Sequence, residues 1–242
     1  MTPPAQATAA RTPAVSAVMP AYNEAECIEA TVRELADVLA QLGQPWEILV
    51  VDDGSTDETP ARARALSRDI PGLRVLRLEP NCGQSAALAA GFQAARGAAI
   101  VTLDADGQNV PAEIPRLLEG LRAADACCGY RVRRQDTWSK RLGSRLANAV
   151  RNRVLREQVR DTGCTLKAFR AEWVRDLPLA WRGMHRFLPA LLVMRGARLA
   201  ELPVAHRPRL AGHSKYTNWR RLRETVWDVL AVRWMQRRHR RF

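Results

Sequence analysis

Apolar and polar positions along the first half of the chain follow two periods in alternation. Short apolar runs at 15–19, 47–51, 73–78, 98–103 and 125–129 predict strands. Residues 24–42, 57–69, 83–96 and 111–123, with apolar positions three and four apart, predict helices. The second half is less regular. It predicts a basic helix over 137–157, an apolar helix over 185–195, a strand over 198–204 and a basic amphipathic helix over 217–238. Strand–helix alternation implies an α/β fold: a mostly parallel central sheet with helices on both faces. Such sheets bind ligands beyond the carboxyl ends of their strands, so chemistry is expected in the segments that follow them. The length suits one large domain, and no Gly/Ser linker or internal repeat divides it.

Charge adds a partner to this picture. The net charge is +13, which calls for an anionic partner: nucleic acid, an acidic membrane surface or a phosphorylated substrate. Residues 131–160 hold ten Lys/Arg against Asp136 and Glu157, and residues 205–242 hold eleven against Glu224 and Asp228. The remainder is mildly acidic. The five cysteines have no metal-ligand spacing or paired framework, which fits a reducing compartment. Residues 1–14 lack a signal-peptide core and read as a loose tail, and no apolar stretch reaches the roughly 20 residues needed to span a bilayer.

The segments after the strands gather acids, amides and glycines. Asp104-Ala105-Asp106 follows an apolar run; in an extended segment its two carboxylates face the same way, and Gln108 adds a further oxygen. Hard oxygen donors of this kind suit Mg²⁺ or Mn²⁺ bridging to a diphosphate. Asp52-Asp53-Gly54-Ser55 offers carboxylates to a base N–H or ribose hydroxyl, while Ser55, Thr56 and Asp57 also suit a helix N-cap. Pro20-Ala21-Tyr22-Asn23-Glu24 joins strand to helix. Asn23 with Glu26 fits a capping box, leaving Tyr22 and Glu24 to hold a nucleotide. Asn81-Cys82-Gly83 serves equally as a plain turn. A glycine-rich dinucleotide turn is absent.

Taken in order with Gly129-Tyr130-Arg131, Asp161-Thr162-Gly163-Cys164, His185-Arg186-Phe187-Leu188-Pro189 and the run from Arg207 to Tyr216, these motifs resemble glycosyltransferase family 2. Within it they are similar to the dolichyl/polyprenyl-phosphate sugar transferase branch. The resemblance implies a GT-A fold with a Rossmann-like sheet over residues 15–216. It also implies inverting transfer of a sugar from a GDP- or UDP-sugar to a polyprenyl phosphate, for cell-envelope glycan or lipid modification. By the same resemblance, Pro20, Tyr22, Glu24, Val51 and Asp53 hold the nucleotide. Asp104, Ala105 and Asp106 hold the diphosphate and metal, with Gln108 a further metal ligand. Arg131 lies near the reacting phosphates, and Lys140 and Ser144 near the acceptor phosphate. Arg209 and Lys215 form a basic pair that closes over the donor. Asp161 matches a family acid without an assigned role.

Two anions must meet in this reaction, so cations such as Arg131, Arg209 and Lys215 are needed to offset their repulsion. The acceptor phosphate is already ionised at neutral pH. A strong general base is therefore unnecessary, and catalysis rests on positioning and electrostatics. The 217–242 segment, with Trp219, Leu222, Val226 and Val229 at helical spacing and Trp227, Leu230 and Trp234 beside them, reads as an interface-lying helix or as a last core helix with a charged tail. The expected location is the cytoplasmic face of an anionic membrane, peripherally bound. Many family members carry membrane spans beyond this point, so a separate membrane-protein partner is a further expectation. A Gln-x-x-Arg-Trp motif is lacking, which argues against a processive synthase. Two alternatives remain: a family 2 enzyme acting on a glycan or lipid A, and a nucleic-acid-binding protein. The second predicts aromatic stacking platforms, which three Tyr and four Phe scarcely supply.

Overall fold

In the computed structural model, residues 12–132, 151–157, 159–208 and 218–239 are described. Seven strands form one sheet: β1 Val15–Ala21, β2 Trp46–Asp52, β3 Leu73–Arg77, β4 Ala99–Thr102, β5 Ala126–Arg131, β6 Lys167–Arg170 and β7 Leu199–Val204. Their order is β3-β2-β1-β4-β6-β5-β7. All pairings are parallel except those of β6, which runs antiparallel to both β4 and β5. The mostly parallel sheet is as the sequence predicts, but β6 is an addition. Its four residues, Lys-Ala-Phe-Arg, are too short and too polar at the ends to stand out as an apolar run.

Helices cover both faces, which is why β1 and β2 are buried almost throughout instead of alternating. On one face α1 (Ile28–Ala40) buries Ile28, Val32, Leu35, Ala36 and Leu39, an i, i+4, i+7 stripe. It shares that core with α2 (Thr59–Asp69) and α4 (Ile114–Gly120). On the other face lie α3 (Gln84–Ala94), helical residues 151–155 (α5), α6 (Ala171–Val174), α7 (Leu188–Arg195) and part of α8 (Asn218–Arg238). α3 approaches the sheet unusually closely. A Cβ on Gly91 would lie 2.3 Å from Val18 Cγ1.

The antiparallel β6 has a consequence for the site. Lys167 pairs with Thr102, so the residues that precede β6 arrive at the edge where β4 ends. That edge also receives the ends of β1, β2, β5 and β7. The amino-terminal edge instead carries a buried polar knot. Ser16 Oγ donates to Glu47 Oε1 at 2.6 Å, the Arg96 amide to the same oxygen at 2.7 Å, and Arg74 Nη1 to Oε2 at 2.7 Å.

Candidate active site

The turns after β1 and β2 are laced together. Asn23 sits in the left-handed region (φ 52°), its amide donates to Ser55 Oγ at 2.9 Å, and its Oδ1 accepts the Thr56 amide at 2.8 Å. The Glu24 amide donates to Thr59 Oγ1, and the Ala25 amide to Asp57 Oδ2. The capping-box expectation for Asn23 is therefore corrected. α1 starts later, at Ile28 with Cys27 as its cap, and Asn23 braces the neighbouring turn. The cap of α2 falls on Glu58, later than expected, but Asp57 still serves the helix start, because its Oδ1 accepts the amide of Thr59, the first residue of α2. The lacing presents Pro20, Tyr22 and Glu24 at this edge, with Tyr22 exposed.

Asp53 is buried and is tied to the turn after β3. Its Oδ1 accepts the Cys82 amide at 2.8 Å, and its Oδ2 accepts the Gly83 amide at 2.8 Å and Asn81 Nδ2 at 2.9 Å. Asn81-Cys82-Gly83 is thus the partner of this carboxylate rather than a plain turn. Burial, with the Asp52 charge behind it, holds Asp53 above the ordinary carboxylate range although these bonds oppose the shift. Gly54 adopts φ +69°, and a Cβ there would lie 2.7 Å from the Asn81 nitrogen, so only glycine fits the junction. The side chains of Val51 and Ala105 lie in the core, so a nucleotide could meet these two residues only through their main-chain groups.

Asp104 follows β4 and heads a turn, not the extended run the sequence implied. Its amide donates to Asn109 Oδ1 at 2.8 Å, and Asn109 Oδ1 also accepts Thr165 Oγ1 at 3.0 Å. Asp106 is buried, with its Oδ1 accepting the Gln108 amide at 3.1 Å. Burial, then the charge of Asp106, pushes Asp104 up to about 6. Gln84 Nε2 donates to Asp104 Oδ1 at 2.9 Å, and the ammonium of buried Lys167 acts on Asp104 from the β6 side. Two carboxylates crowded in low dielectric fit a divalent cation, which would relieve the repulsion that raises Asp104. Among the described residues no group of three or more His, Cys, Asp or Glu is disposed to hold a metal. The donors expected from the sequence, two carboxylates and the Gln108 amide oxygen, would leave Mg²⁺ to take its remaining oxygens from phosphate and water.

Arg131 ends β5 and forms a fork with Asp161: Nε to Oδ2 at 2.7 Å, Nη2 to Oδ1 at 2.9 Å, and the Arg131 amide to Oδ2 at 3.2 Å. Both side chains are largely buried. Asp161 thereby acquires the role that the sequence left unassigned. A Cβ on Gly163 would stand 3.0 Å from Arg131 Nη2, so the glycine of Asp161-Thr162-Gly163 makes room for the guanidinium. Asp104, Gln108, Asn109, Arg131 and His206 border one small cavity.

The chain beyond β7 is fastened to the Asp104 loop. The Arg207 amide donates to Gln108 O at 2.9 Å, Gln108 Nε2 to Arg207 O at 3.4 Å, and the Arg207 guanidinium to both oxygens of Glu34 at 2.9 Å. Four expected site residues, Lys140, Ser144, Arg209 and Lys215, lie outside the described residues. Sequence reasoning gave no site role to Gln84, Asn109, Thr165, Lys167 or the Ser85–His185 pair. Of these, only His185 stood in a quoted motif.

Residues 16–177 match the family model described as Glycosyl transferase family 2. The chain is 36% identical over 229 residues to the dodecaprenyl-phosphate galacturonate synthase of Rhizobium johnstonii, covering 92% of this chain and 67% of that protein. It is 38% identical over 206 residues to the undecaprenyl-phosphate 4-deoxy-4-formamido-L-arabinose transferase of Sodalis glossinidius, covering 84% and 63%. The Pseudomonas aeruginosa protein of the same name is 40% identical over 212 residues, covering 86% and 62%. The chain thus spans under two thirds of the length of the latter two. Among solved structures, glucosyl-3-phosphoglycerate synthase from Mycobacterium tuberculosis, in complex with Mn²⁺, UDP and glucosyl-3-phosphoglycerate, superposes with a TM-score of 0.66 at 22% identity. That match covers 93% of this chain and 80% of the other, and it shows a shared GT-A fold.

Proposed function

The chain belongs to glycosyl transferase family 2, and on that premise we propose that it moves a sugar from a GDP- or UDP-sugar to a polyprenyl phosphate at a membrane surface. The names of its relatives supply the acceptor class. The observation that carries the reading is that Asp104, coupled to Asp106, borders the same cavity as an arginine locked by Asp161. A site for a diphosphate thus adjoins a fixed guanidinium for a phosphate.

Pro20, Tyr22, Glu24 and Asp53, with the main chain at Val51 and Ala105, form the wall for the nucleotide. Asp104, Asp106 and Gln108 would hold Mg²⁺ or Mn²⁺, which when bound neutralises charge on the diphosphate. Arg131 orients the acceptor phosphate, assisted by Lys140 and Ser144, and Arg209 and Lys215 close over the donor. An ionised phosphate oxygen bonds to the anomeric carbon as the bond to the diphosphate breaks. The proton inventory is unchanged, so no base is required. The basic face of α8 would dock on the cytoplasmic leaflet, with a membrane-protein partner as an additional anchor.

The test is incubation of the chain with a panel of radiolabelled nucleotide sugars, undecaprenyl phosphate and Mn²⁺, followed by solvent extraction. Label should enter the lipid phase with one donor, and Asp106→Ala should abolish that transfer. Label that reached only a glycan or lipid A would overturn the acceptor assignment.

A further inference from the structure

A larger cavity, of about 190 Å³, is also bordered by Asp104, Gly163 and Thr165. Beside Thr102 and Thr162, its other polar walls are Gln84, Lys167, His185 and Arg186. These last four come from three elements: the start of α3, the start of β6, and a 3-10 turn at Met184–Phe187. The volume falls below the roughly 300 Å³ lower bound of drug-sized pockets, so it suits a sugar ring or a phosphate rather than a whole nucleotide sugar.

The turn bearing His185 and Arg186 is held from several sides. The His185 amide donates to Ser85 Oγ at 3.1 Å, and the ring Nδ1 lies 2.9 Å from the same oxygen. Phe187 is buried beneath the Arg151 guanidinium, 4.8 Å from the ring centroid. Gly183 opens the turn at φ +86°, and a Cβ there would lie 2.7 Å from Asp228 Oδ2 on α8. An exposed surface turn would not need this support. Lys167 is buried with its ammonium on the Cys164 carbonyl, so it too is fixed. Once Asp104 serves a cation and the diphosphate, the ionisable groups left in the wall are a lysine, a histidine and an arginine. They are backed by Leu88, Leu103 and Leu188. Cations against apolar walls bind anions more strongly than the same groups in water, and a guanidinium matches the planar oxygens of carboxylate or phosphate.

We propose that this cavity seats an anionic group during transfer, and that His185 and Arg186 bind it. The anion is either the carboxylate of a uronosyl donor or the phosphate of the acceptor. The inference rests on the transfer reaction proposed above and assigns it two residues that set its specificity.

The experiment uses the whole chain with Mn²⁺. Calorimetry compares UDP-glucuronate with UDP-glucose and, separately, follows inorganic phosphate, for the wild type and for Arg186→Gln, Arg186→Lys and His185→Asn. If the seat takes a carboxylate, the wild type prefers UDP-glucuronate, and Arg186→Gln erodes the preference roughly tenfold or more. If it takes the acceptor phosphate, sugar preference stays flat while phosphate binding weakens by a similar factor. Arg186→Lys recovers part of either loss. The proposal is overturned if the wild type shows neither preference nor phosphate binding, or if the variants, folded by thermal unfolding, behave as the wild type in both. Failure of the transfer reading alone would look different: anion binding that still depends on Arg186, without label reaching lipid.

Discussion

At the scale of single residues, Asp161 shows what a motif conceals. Its presence in Asp-Thr-Gly-Cys was legible, but its role was not, because its partner Arg131 lies 30 positions earlier and the two meet only once β6 is inserted between β4 and β5. The fork fixes a guanidinium that would otherwise sample many rotamers, and such ordering matters where charge develops in a transition state. Asp161→Asn should therefore lower kcat/KM roughly a hundredfold while the chain stays folded. Gly163→Ala should do the same more mildly, since its Cβ would press on Nη2. Steady-state kinetics beside a thermal melt would check both, and unchanged kcat/KM in Asp161→Asn would remove the positioning role. Asp104, Asp106 and Gln108 stood out as candidates in the sequence because the signal is local. Gln84 and His185 were not, because a lone glutamine at a helix start and a histidine in a loop acquire meaning only from what faces them.

Glu47 is the counterpart on the opposite edge, where the effect is stability. Burial alone would raise its carboxyl, but bonds from Ser16, the Arg96 amide and Arg74 together bring it below the ordinary glutamate range. A carboxyl depressed in the folded state stabilises at pH above its unfolded value, and the contribution fades as pH falls through the folded value. Glu47→Gln should cost about 1–2 kcal/mol at neutral pH. The gap from wild type should narrow in acid below the usual glutamate range. Denaturant melts at neutral and acid pH measure it, and a gap that widened in acid would contradict the assignment.

At the scale of elements, the central parallel strands β1, β2 and β4 were legible because helices on both faces turn them into nearly continuous apolar runs. β6 was not, although it governs the site by delivering Asp161 to Thr165 to the edge beside Asp104. α3 is a different case. Its alanine-rich sequence has little amphipathic contrast, so its position against the sheet depends on small side chains rather than on a stripe. Gly91 should be a poor choice for a helix interior on propensity alone, by roughly 0.5–1 kcal/mol relative to alanine. The close approach to Val18 accounts for it. Gly91→Ala should therefore destabilise, by about 1–3 kcal/mol through overpacking, despite the gain in propensity. A rise in Tm would mean that α3 moves away without strain. Because Gln84 and Ser85 begin the same helix, a displaced α3 should also weaken donor binding.

At the scale of the whole molecule, the question is how a basic chain would meet the lipid-borne substrate proposed for it. No described helix is long and apolar enough to cross a membrane. Of the two sequence readings of the last helix, the core reading describes one side of α8, and the docking reading would need the opposite side. Val229, Val232 and Met235 pack into the core, and Gln236 Nε2 donates to Leu155 O at 2.9 Å. Val226, Trp227, Leu230 and Trp234 are 52%, 69%, 50% and 63% exposed. At about 100° per residue these four share one face, turned roughly half a revolution from the buried one. The sequence stripe that joined Val226 to Val229 therefore divides between the two sides. A helix whose inner face already satisfies the core has no structural use for two outward tryptophans, and Arg237 and Arg238 follow them. Tryptophan and arginine together suit the headgroup region of an anionic leaflet, where each basic residue adds about 1 kcal/mol. Replacing Trp227, Leu230 and Trp234 by serine should leave the melting temperature nearly unchanged and lower partitioning onto phosphatidylglycerol vesicles by roughly tenfold or more. Raised salt should weaken what remains, because the arginines are left to act through a screened attraction. Transfer to a short, water-soluble polyprenyl phosphate should survive in this variant while transfer to the vesicle-borne acceptor falls. If the variant stayed on vesicles as tightly as the wild type, the exposed face of α8 would not be what brings the enzyme to its acceptor.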